Sequence, residues 1–445
     1  MSQSAMTQPS TTAPSHDLVG VGLGPSNLSL AALLEPVTDF HARFFDQRPK
    51  FDWHPGLMLP DARLQTSFLK DLVTAADPTS RHSFLAYLVH KKRFYDFVNA
   101  SFENISRSEF ADYLGWVASR VRNASFNTPV REVAFDGARF QVRRNRDTDA
   151  AKNLCIATGH RPNLPDWAPA QLDARCFHAS EILHRTPDVT GKRVAIVGGG
   201  QTGAEVFLTL AREAFGRPAS VNWISRRPNF DQLDDSHFAD ECFTPDYLRL
   251  FFRLPEGRKA GIVESQKLKS DGISPSTLRE IYHLLYQHRH LSDDDRRLTL
   301  SPGREVTGLR EGEEVFSLNL HNLMIGEGEA VQADVVILCT GYRTRLPEIL
   351  QPIIGRMEFD NQGRPRLDES FKVLWEGPSD RRIYMQNTAR HSHGIADPQL
   401  SLMAWRSAAI VNDLLGRQVY DIEQCPPAIN WISESRTEDA GTVAA

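Results

Sequence analysis

The stretch that decides the fold is DLVGVGLGPSNLSLAALL, residues 17–34, where an apolar run meets three glycines and then a segment with helical spacing. This order predicts a strand that turns tightly into a helix. The N-terminus of such a helix offers free N–H groups and a partial positive charge to a phosphate. A second stretch of the same kind, RVAIVGGGQTGAEVFLTLA, occupies residues 193–211. Two such units in one chain predict two dinucleotide-binding domains.

The second turn carries the complete fingerprint Gly198-x-Gly200-x-x-Gly203. Its glycines allow a tight turn, a close approach of backbone to pyrophosphate, and close packing of helix on strand. The next strand ends in SRR, residues 225–227, and arginines suit the 2′-phosphate of NADPH better than the free ribose of NADH. A solvated basic turn is the alternative for these arginines. The residues predicted to bind NADPH are Gly198, Gly200, Gln201, Thr202, Gly203, Ser225, Arg226, Arg227 and Tyr342.

The first turn departs from this fingerprint, because Asn27 stands where the third glycine is expected after Gly22 and Gly24. The strand that follows ends at Asp46, about 20 residues further on, where a carboxylate can accept hydrogen bonds from an adenosine ribose. A turn carboxylate at a strand end is the alternative for Asp46. Two nucleotide sites in one chain usually hold a flavin and a nicotinamide, since the two rings must meet for hydride transfer.

Two further strands end in Thr-Gly, within CIATGHRP (155–162) and DVVILCTGYRTRLP (334–347), as is typical of flavoproteins with two nucleotide domains. We therefore predict an α/β fold of two Rossmann-like domains, one for FAD and one for NADPH, with a small helical substrate region. The expected division is a disordered tail at 1–15, a discontinuous FAD domain at 16–185 and 331–430, an NADPH domain at 186–330 with a substrate-contacting segment at 229–290, and a flexible tail at 431–445.

Local patterns predict the elements between these motifs. Residues 51–80 are rich in proline, glycine and aromatic residues, which indicates a long functional loop. Residues 81–122 are expected to be helical, 126–144 to form a small antiparallel meander, and 229–292 to be partly helical.

Composition excludes several classes of function. The chain has 445 residues and a net charge of −5, which gives no general electrostatic case for nucleic acid or an anionic membrane. No apolar run is long enough for a membrane span, and the first residues lack the pattern of a signal peptide, so we expect a cytoplasmic protein. The five cysteines form no CxxC or metal-ligand spacing, which predicts reduced thiols and no metal site.

The chain resembles the N-hydroxylating flavoprotein monooxygenases of siderophore biosynthesis from residue 17 to about 432, most closely their lysine N6-hydroxylase branch, which shades into diamine hydroxylases. In the stretch DVVILCTGY, Cys339 replaces the alanine that is usual in the family's D-x3-L-A-T-G-Y signature, which is a small change in side-chain size. The stretches that carry the resemblance are GVGLGPSNLSLA, FFDQRPKFDWHPGLMLPDARLQTSFLKDLVTAADPTS, GGGQTGAE, NFDQLDDSHFADECFTPDY, DVVILCTGY and HGIADPQLSLMAWRSA.

The resemblance implies that FAD is reduced by NADPH and reacts with O2 to a C4a-hydroperoxyflavin. Its distal oxygen passes to the terminal amine of L-lysine, cadaverine or putrescine, and the hydroxylamine serves hydroxamate siderophore assembly. The flavin performs the chemistry, so no side chain is named as catalytic. A homodimer or homotetramer is implied by analogy. The implied FAD contacts are Gly22, Gly24, Pro25, Asn27, Asp46, Trp53, His54, Gln65, Thr340, Gly341, Gln399 and Leu400.

The substrate contacts implied by the resemblance are Lys70, Gln65, Asp240, Leu400 and Ser401. Lys70 would bind a carboxylate at the far end of the substrate. This role suits L-lysine as the substrate and not a diamine, whose far end would be cationic. A surface lysine is the alternative. Asp240 stands where ornithine hydroxylases have an asparagine, and it could bind an ammonium or form a plain salt bridge. Beside the reacting nitrogen it would favour the unreactive cation.

Three other readings compete with this one. A disulfide reductase needs a redox-active cysteine pair, which the sequence lacks. Baeyer–Villiger monooxygenases usually carry FxGxxxHxxx before the second turn, where this chain has CFHASEILHRTPDVTGK. A non-catalytic FAD-binding protein stays open.

Overall fold

The structure is a computed structural model that describes residues 14–312, 315–423 and 428–431. The predicted tails therefore fall almost wholly outside the described residues. Ser15, which we assigned to the N-terminal tail, is the first residue of a strand.

The strands of the described residues, in chain order, are β1 (Ser15–Val21), β2 (Ala42–Phe45), β3 (Ala124–Ser125), β4 (Glu132–Phe135), β5 (Phe140–Arg143), β6 (Thr148–Ile156), β7 (Arg161–Pro162), β8 (Cys176–His178), β9 (Arg193–Val197), β10 (Ser220–Ile224), β11 (Arg297–Ser301), β12 (Arg304–Glu311), β13 (Phe316–Asn322), β14 (Glu327–Ala333), β15 (Val335–Leu338), β16 (Tyr342–Arg343) and β17 (Ile383–Met385).

The α-helices are α1 (Pro25–Leu34), α2 (Phe84–His90), α3 (Phe94–Ala100), α4 (Arg107–Ala118), α5 (Ile182–Arg185), α6 (Gln201–Ala211), α7 (His237–Asp240), α8 (Pro245–Arg253), α9 (Glu256–Ser265), α10 (Lys267–Asp271), α11 (Pro275–His290), α12 (Gln351–Ile354), α13 (Arg390–His393) and α14 (Met403–Leu415). Short 3-10 turns lie at Pro55–Leu57, Pro169–Gln171, Ala179–Glu181, Glu241–Phe243, Glu348–Leu350 and Leu400–Leu402.

The first glycine turn belongs to a sheet with the strand order β3-β2-β1-β6-β5-β4, to which β17 adds by pairing with β6. Its central strands β2, β1, β6 and β17 run parallel. The antiparallel meander predicted at 126–144 is confirmed as β4 and β5, and β6 continues it by pairing antiparallel with β5. Helix α1 follows β1 and is buried at every position after Pro25, because it lies between the sheet, α4 and α14. The strand–turn–helix prediction for residues 17–34 is confirmed.

The second glycine turn belongs to a parallel sheet with the order β11-β10-β9-β15-β8. Strands β8 and β15 fall in the ranges that we assigned to the FAD domain, yet they pair in this second sheet. Parallel partners are contributed by segments on both sides of β9, and this spatial arrangement moves the sheet boundary away from the predicted sequence boundaries. A separate antiparallel sheet, β12-β13-β14, covers one face.

The long loop predicted at residues 51–80 is present, and part of it joins the two halves of the molecule. Leu57, Leu59 and Ala62 pack into the hydrophobic core around α6 and β9. Gly56 approaches so closely that a Cβ atom there would lie 1.8 Å from the carbonyl oxygen of Ser180. The predicted helices at 81–122 and within 229–292 are confirmed as α2–α4 and α7–α11.

Two negative findings hold for the described part of the chain. None of its helices has the length and apolar character needed to cross a membrane. Nor does it bring together three or more histidine, cysteine or acidic side chains in an arrangement that could hold a metal ion.

Candidate functional site

The first glycine turn forms a cradle at the carboxyl end of β1. Gly22 has a φ of +83°, and a Cβ atom there would lie 2.5 Å from the carbonyl oxygen of Ala157, so only glycine fits. The space around Gly24, which precedes α1, is open. Pro25 opens the helix, where its missing N–H costs no hydrogen bond. The side chain of Asn27 is fully buried and donates to the carbonyl oxygen of Gly22 at 2.7 Å.

Asp46 lies beside this turn, at the end of β2. Its Oδ2 accepts a hydrogen bond from the backbone N–H of Leu23 at 2.7 Å, and Arg48 binds both carboxylate oxygens. Burial alone would raise the pKa of Asp46, but the hydrogen bonds from Arg48 and Leu23 outweigh it and lower the pKa. Asp46 is therefore a charged acceptor at the strand end. Its contact with a ribose stays a prediction.

The loop that carries the implied FAD contacts Trp53 and His54, called the flavin-side loop below, places Trp53 against His54 and His54 against Tyr342. Ring centroids lie 5.6 Å apart for Trp53 and His54, and 5.8 Å apart for His54 and Tyr342. Solvent reaches the His54 side chain, yet enclosure by protein atoms, assisted by the charges of Arg107 and His160, lowers its pKa to about 4. His54 is thus neutral at physiological pH. Its backbone has a φ of 49°, in the left-handed region.

The second turn is packed more tightly. Gly198 has a φ of +131°, and a Cβ atom there would lie 2.1 Å from the carbonyl oxygen of Cys339. A Cβ atom at Gly203 would lie 2.2 Å from the carbonyl oxygen of Gly198. Gly200, which precedes α6, faces open space. Gly198 and Gly203 thus show the tight turn and the close packing predicted from the fingerprint, and the open space at Gly200 leaves room for a pyrophosphate, whose binding there stays a prediction.

A cavity of about 940 Å³ extends from the second turn. Eight of the nine residues predicted to bind NADPH line it, and the ninth, Gly203, packs against Gly198 and β10 instead. Four residues that we assigned to FAD also line it: Gln65, Thr340, Gly341 and Gln399. Sequence reasoning did not name six further lining residues: His160, Asn163, Lys267, Arg304, Asn387 and Arg390. His160 lies within the stretch CIATGHRP and Lys267 within the predicted substrate-contacting segment 229–290, whereas the other four lie outside the motifs.

Positive charge is concentrated at the β10 end of this cavity. Arg226 is 72% exposed, and its guanidinium lies 3.4 Å from Glu305. Nη1 of Arg227 is buried and has no hydrogen-bond partner among the described residues, while Nη2 donates to the carbonyl oxygen of Asp271 at 3.1 Å. Arg304 lies at the same end, where its backbone N–H donates to the carbonyl oxygen of Ser225 at 2.9 Å, and Lys267 also lines the cavity. This charge suits a phosphate monoester such as the 2′-phosphate of NADPH.

A second, smaller cavity of about 60 Å³ adjoins the first. It brings together four of the five predicted substrate residues, Gln65, Lys70, Asp240 and Ser401. The fifth, Leu400, packs against the core of the first domain instead. Gln65, Ser270 and Gln399 line both cavities. The remaining charged and aromatic lining residues lie within the predicted substrate-contacting segment 229–290 but were not named individually: Asp234, Asp235, Phe243 and Lys269.

The smaller cavity is lined by charges of both signs. Nζ of Lys269 lies 3.6 Å from a carboxylate oxygen of Asp234. Among the described residues, Lys70, Asp235 and Asp240 have no ion-pair partner. A ligand that carries both an anionic and a cationic group could therefore pair with side chains that are free in this cavity.

A buried ion pair supports the loop whose residues Gln399 and Ser401 line the cavities. Arg406 Nη1 donates to Oδ1 of Asp397 at 2.7 Å, with the two side chains 2% and 0% exposed. Oδ2 of Asp397 accepts from the backbone N–H of Ala389 at 2.8 Å. These contacts tie the start of α13 to α14 across the loop that carries Gln399 and Ser401.

Two observations indicate that the residues present can hold a dinucleotide flavin. The open space at Gly24 lies where a helix N-terminus can receive a pyrophosphate. Three buried polar atoms have no hydrogen-bond partner among the described residues: Gln386 Oε1 and Thr388 Oγ1 in the loop after β17, and Ser401 Oγ in the 3-10 turn before α14. Buried polar groups normally find partners, so a polar ligand is expected in this region.

The sequence model of the family described as L-lysine 6-monooxygenase/L-ornithine 5-monooxygenase matches residues 14–344, more than half of the chain. The chain belongs to this family. It is 42% identical over 421 residues to the L-lysine N6-monooxygenase of Escherichia coli, which covers 94% of this chain and 99% of that protein.

Two solved structures extend the match within the lysine and ornithine monooxygenase family. The cadaverine monooxygenase DfoA of the desferrioxamine biosynthetic pathway of Erwinia amylovora, bound to FAD, has a TM-score of 0.89 and 30% identity, covering 95% of this chain and 99% of that one. The ornithine N-hydroxylase KtzI of Kutzneria sp. 744, solved with reduced FAD, NADP+ and L-ornithine, has a TM-score of 0.83 and 28% identity, covering 91% and 99%.

Family membership confirms the resemblance drawn from the sequence, the two-Rossmann fold and the enzyme class, a flavin-dependent N-monooxygenase. It displaces the alternative of a disulfide reductase. In agreement with this, Cys155, Cys176, Cys242 and Cys339 are free and buried. The individual contacts with FAD, NADPH and substrate stay predictions, as does the division into domains.

Proposed function

We propose that the chain is an FAD- and NADPH-dependent monooxygenase that uses O2 to hydroxylate the N6 amine of L-lysine. The observation that supports this substrate is the mixed charge of the smaller cavity. Lys70 can pair with an α-carboxylate, and Asp235 or Asp240 can pair with an α-ammonium. L-Lysine carries both groups at the end remote from the reacting amine, and the Escherichia coli relative acts on L-lysine.

An aliphatic diamine, cadaverine or putrescine, is the second candidate. The three carboxylates of the smaller cavity outnumber its two lysines, which favours a cation, and the Erwinia amylovora relative acts on cadaverine. A diamine would nevertheless leave Lys70 facing an ammonium of like charge. The balance of these charges therefore favours lysine over a diamine.

In the proposed reaction the protein's own residues bind and orient the cofactors and the substrate, and they exclude water from the reacting atoms. Gly22, Gly24 and Asn27 would hold FAD at the first turn, and Gly198, Gly200 and Arg227 would hold NADPH at the second. When bound and reduced, FAD supplies the activation of O2. The amine must be neutral to accept an oxygen, although a free alkyl ammonium has a pKa of about 10.4, so the reacting end has to be desolvated. A neutral His54 on the flavin-side loop adds no charge that would oppose this.

The wider setting is proposed on the same basis. We infer that the hydroxylamine serves hydroxamate siderophore assembly, as the desferrioxamine pathway of the Erwinia amylovora relative suggests. We also propose cytoplasmic location, a homodimer or homotetramer, and the domain division given from the sequence, with β8 and β15 contributing to the NADPH sheet. Light scattering on the purified protein measures the oligomeric state.

The substrate is tested by NADPH-dependent formation of hydroxylamine from lysine, ornithine, cadaverine and putrescine. In the Lys70→Met variant, the loss of a charge-assisted hydrogen bond should lower kcat/KM for lysine roughly 10- to 150-fold, mostly through KM. Turnover of cadaverine should stay equal or improve. Lys92→Met, at an exposed lysine between α2 and α3, is the matched control. An unchanged KM for lysine in Lys70→Met refutes the carboxylate role, and faster turnover of a diamine by the wild type favours the second candidate.

A further inference from the structure

Both glycine turns contain a hydrogen bond that no sequence motif predicts. In each turn the carbonyl oxygen of the first glycine accepts a hydrogen bond from a side-chain N–H. In the first turn Nδ2 of Asn27 donates to Gly22 at 2.7 Å, and in the second Nε1 of Trp223 donates to Gly198 at 2.8 Å. Both donors are fully buried.

The register of the strands explains why the two donors differ. Trp223 on β10 pairs with Ile196, two residues before Gly198. Phe44 on β2 pairs with Gly20, two residues before Gly22, so it occupies the equivalent place in the first domain. Phenylalanine has no N–H to donate. The first turn therefore needs another donor.

The residue at the third position of each fingerprint follows from the same difference between Trp223 and Phe44. A Cβ atom at Gly203 would lie 2.2 Å from the carbonyl oxygen of Gly198 and 2.7 Å from Nε1 of Trp223, so this hydrogen-bonded pair requires glycine there. In the first domain the Phe44 ring covers Gly20, where a Cβ atom would lie 2.1 Å from the ring. The third position is then free for Asn27, whose amide supplies the N–H that Phe44 lacks. Asn27 thus departs from the glycine fingerprint but compensates for the missing indole donor.

Two further residues fix the direction of the Asn27 amide. Its Oδ1 accepts from Nε2 of Gln386 at 3.0 Å and from Sγ of Cys155 at 3.1 Å. Gln386 and Cys155 are 1% and 0% exposed. With Oδ1 facing two donors, Nδ2 faces the carbonyl oxygens of Gly22 and Cys155. Gln386 thus acts on the turn through Asn27.

The peptide that follows the first glycine is held at both ends. Its carbonyl is bound by Asn27, and its N–H, which belongs to Leu23, donates to Asp46. Fixing this peptide fixes the direction in which the first turn of α1 presents its free N–H groups. Because a flexible turn would have to be ordered when the ligand binds, such fixing favours affinity.

We propose that Asn27 with Gln386 in the first turn, and Trp223 in the second, are positioning residues that lock the first-glycine peptide and so set the affinity of each turn for its own dinucleotide. The inference rests on the proposed function in one respect: it takes the first turn to bind FAD and the second to bind NADPH. In this role Asn27 and Trp223 act through the peptide of the first glycine, and Gln386 acts through Asn27, whatever further contacts these side chains make with a ligand.

The test measures equilibrium dissociation constants, for FAD added to the apoprotein by flavin fluorescence and for NADP+ by titration of the FAD-loaded protein. Asn27→Gly restores the fingerprint glycine, yet it should weaken FAD binding about tenfold or more, because the turn carbonyl loses its donor. NADP+ binding should stay within about twofold, as expected for independent sites. Trp223→Phe, which keeps the aromatic packing on Phe207, should give the opposite pattern.

A double-mutant cycle separates action through Asn27 from a direct contact. Gln386→Leu alone should weaken FAD binding, and the same change in the Asn27→Gly background should add little. Gln418→Leu, at an exposed glutamine, is the matched control and should change neither constant. Melting of each apoprotein shows the folded fraction. A purely structural role would lower melting temperatures while leaving the affinity of folded protein unchanged.

Three results overturn the inference: an unchanged FAD constant in Asn27→Gly, an equal weakening of both dinucleotides, or an effect of Gln386→Leu that persists without Asn27. If Asn27→Gly does not fold, Trp223→Phe and Gln386→Leu still decide, since each must weaken only its own dinucleotide. A wild-type apoprotein that binds no FAD at all would instead contradict the proposed function, which keeps the two failures distinguishable.

Discussion

Replacing Arg107 by methionine is expected to destabilise the protein in a way that depends on pH. Arg107 on α4 binds both carboxylate oxygens of Glu205 on α6, at 3.0 and 2.9 Å, and so joins the two nucleotide domains. The side chains are 20% and 7% exposed. Removing one partner of a buried pair leaves an uncompensated charge and typically costs about 3–5 kcal/mol. At about 2–4 °C per kcal/mol, the melting temperature should fall by roughly 6–20 °C.

The sign of the pH dependence follows from Glu205. Burial raises its pKa above the ordinary value, although Arg107 and Gln201 oppose this. Without Arg107 that opposition weakens, and the pKa rises further. A carboxyl group whose pKa is higher in the folded state favours folding when protonated, and this contribution is lost as pH rises through the folded-state pKa. The deficit of Arg107→Met should therefore be larger at pH 8 than near pH 5.5.

Thermal melting at both pH values tests this reasoning. Arg143→Met removes one partner of an exposed pair with Glu132, and it should cost no more than about 1 kcal/mol. The double variant Arg107→Met with Glu205→Gln removes the buried charge and should recover most of the loss. The reasoning is refuted if Arg107→Met costs no more than the control, if its deficit is the same at both pH values, or if Glu205→Gln restores nothing.

Two further predictions concern the second turn and the thiols. Gly203→Ala should lower both the melting temperature and the affinity for NADP+, because its Cβ atom would lie 2.2 Å from the carbonyl oxygen of Gly198. Gly200→Ala, in open space, should melt like the wild type, and equal melting of the two variants would contradict this prediction. Burial raises the pKa of Cys155 to about 12, so iodoacetamide at pH 8 should leave it unmodified in native protein, and mass spectrometry that finds it alkylated before unfolding would count against the buried network.

The parts of the fold that sequence predicted correctly are the parts that local patterns determine. Glycine spacing and apolar periodicity are local, so both strand–turn–helix units and the helices within 81–122 were predicted. The membership of β8 and β15 in the second sheet was not, because strand pairing is settled by packing between distant segments. The substrate residues Lys70 and Asp240 came from family resemblance, and the structure does bring both into one cavity.

The residues that sequence reasoning missed depend on contacts between distant parts of the chain. Gln386 reaches Asn27 across 359 positions, and nothing near either residue indicates the contact. The N–H of Trp223 matters only because the register of β9 and β10 sets the indole beside Gly198. Lys269 lies within the predicted substrate-contacting segment 229–290, but only packing shows which side chain of its short helix lines the cavity of Lys70.

The position of Asp240 bears directly on the reacting nitrogen. A carboxylate beside that nitrogen would stabilise the ammonium, which has no lone pair to accept an oxygen. Asp240, however, lines the cavity that also holds Lys70 and Lys269, a region crowded with charge of both signs. If Lys70 pairs with the α-carboxylate, Asp240 is placed for the α-ammonium beside it, and the methylene chain separates both from N6. One substrate can then satisfy the charged end and still present a neutral amine, whereas a diamine would leave Lys70 without an anion.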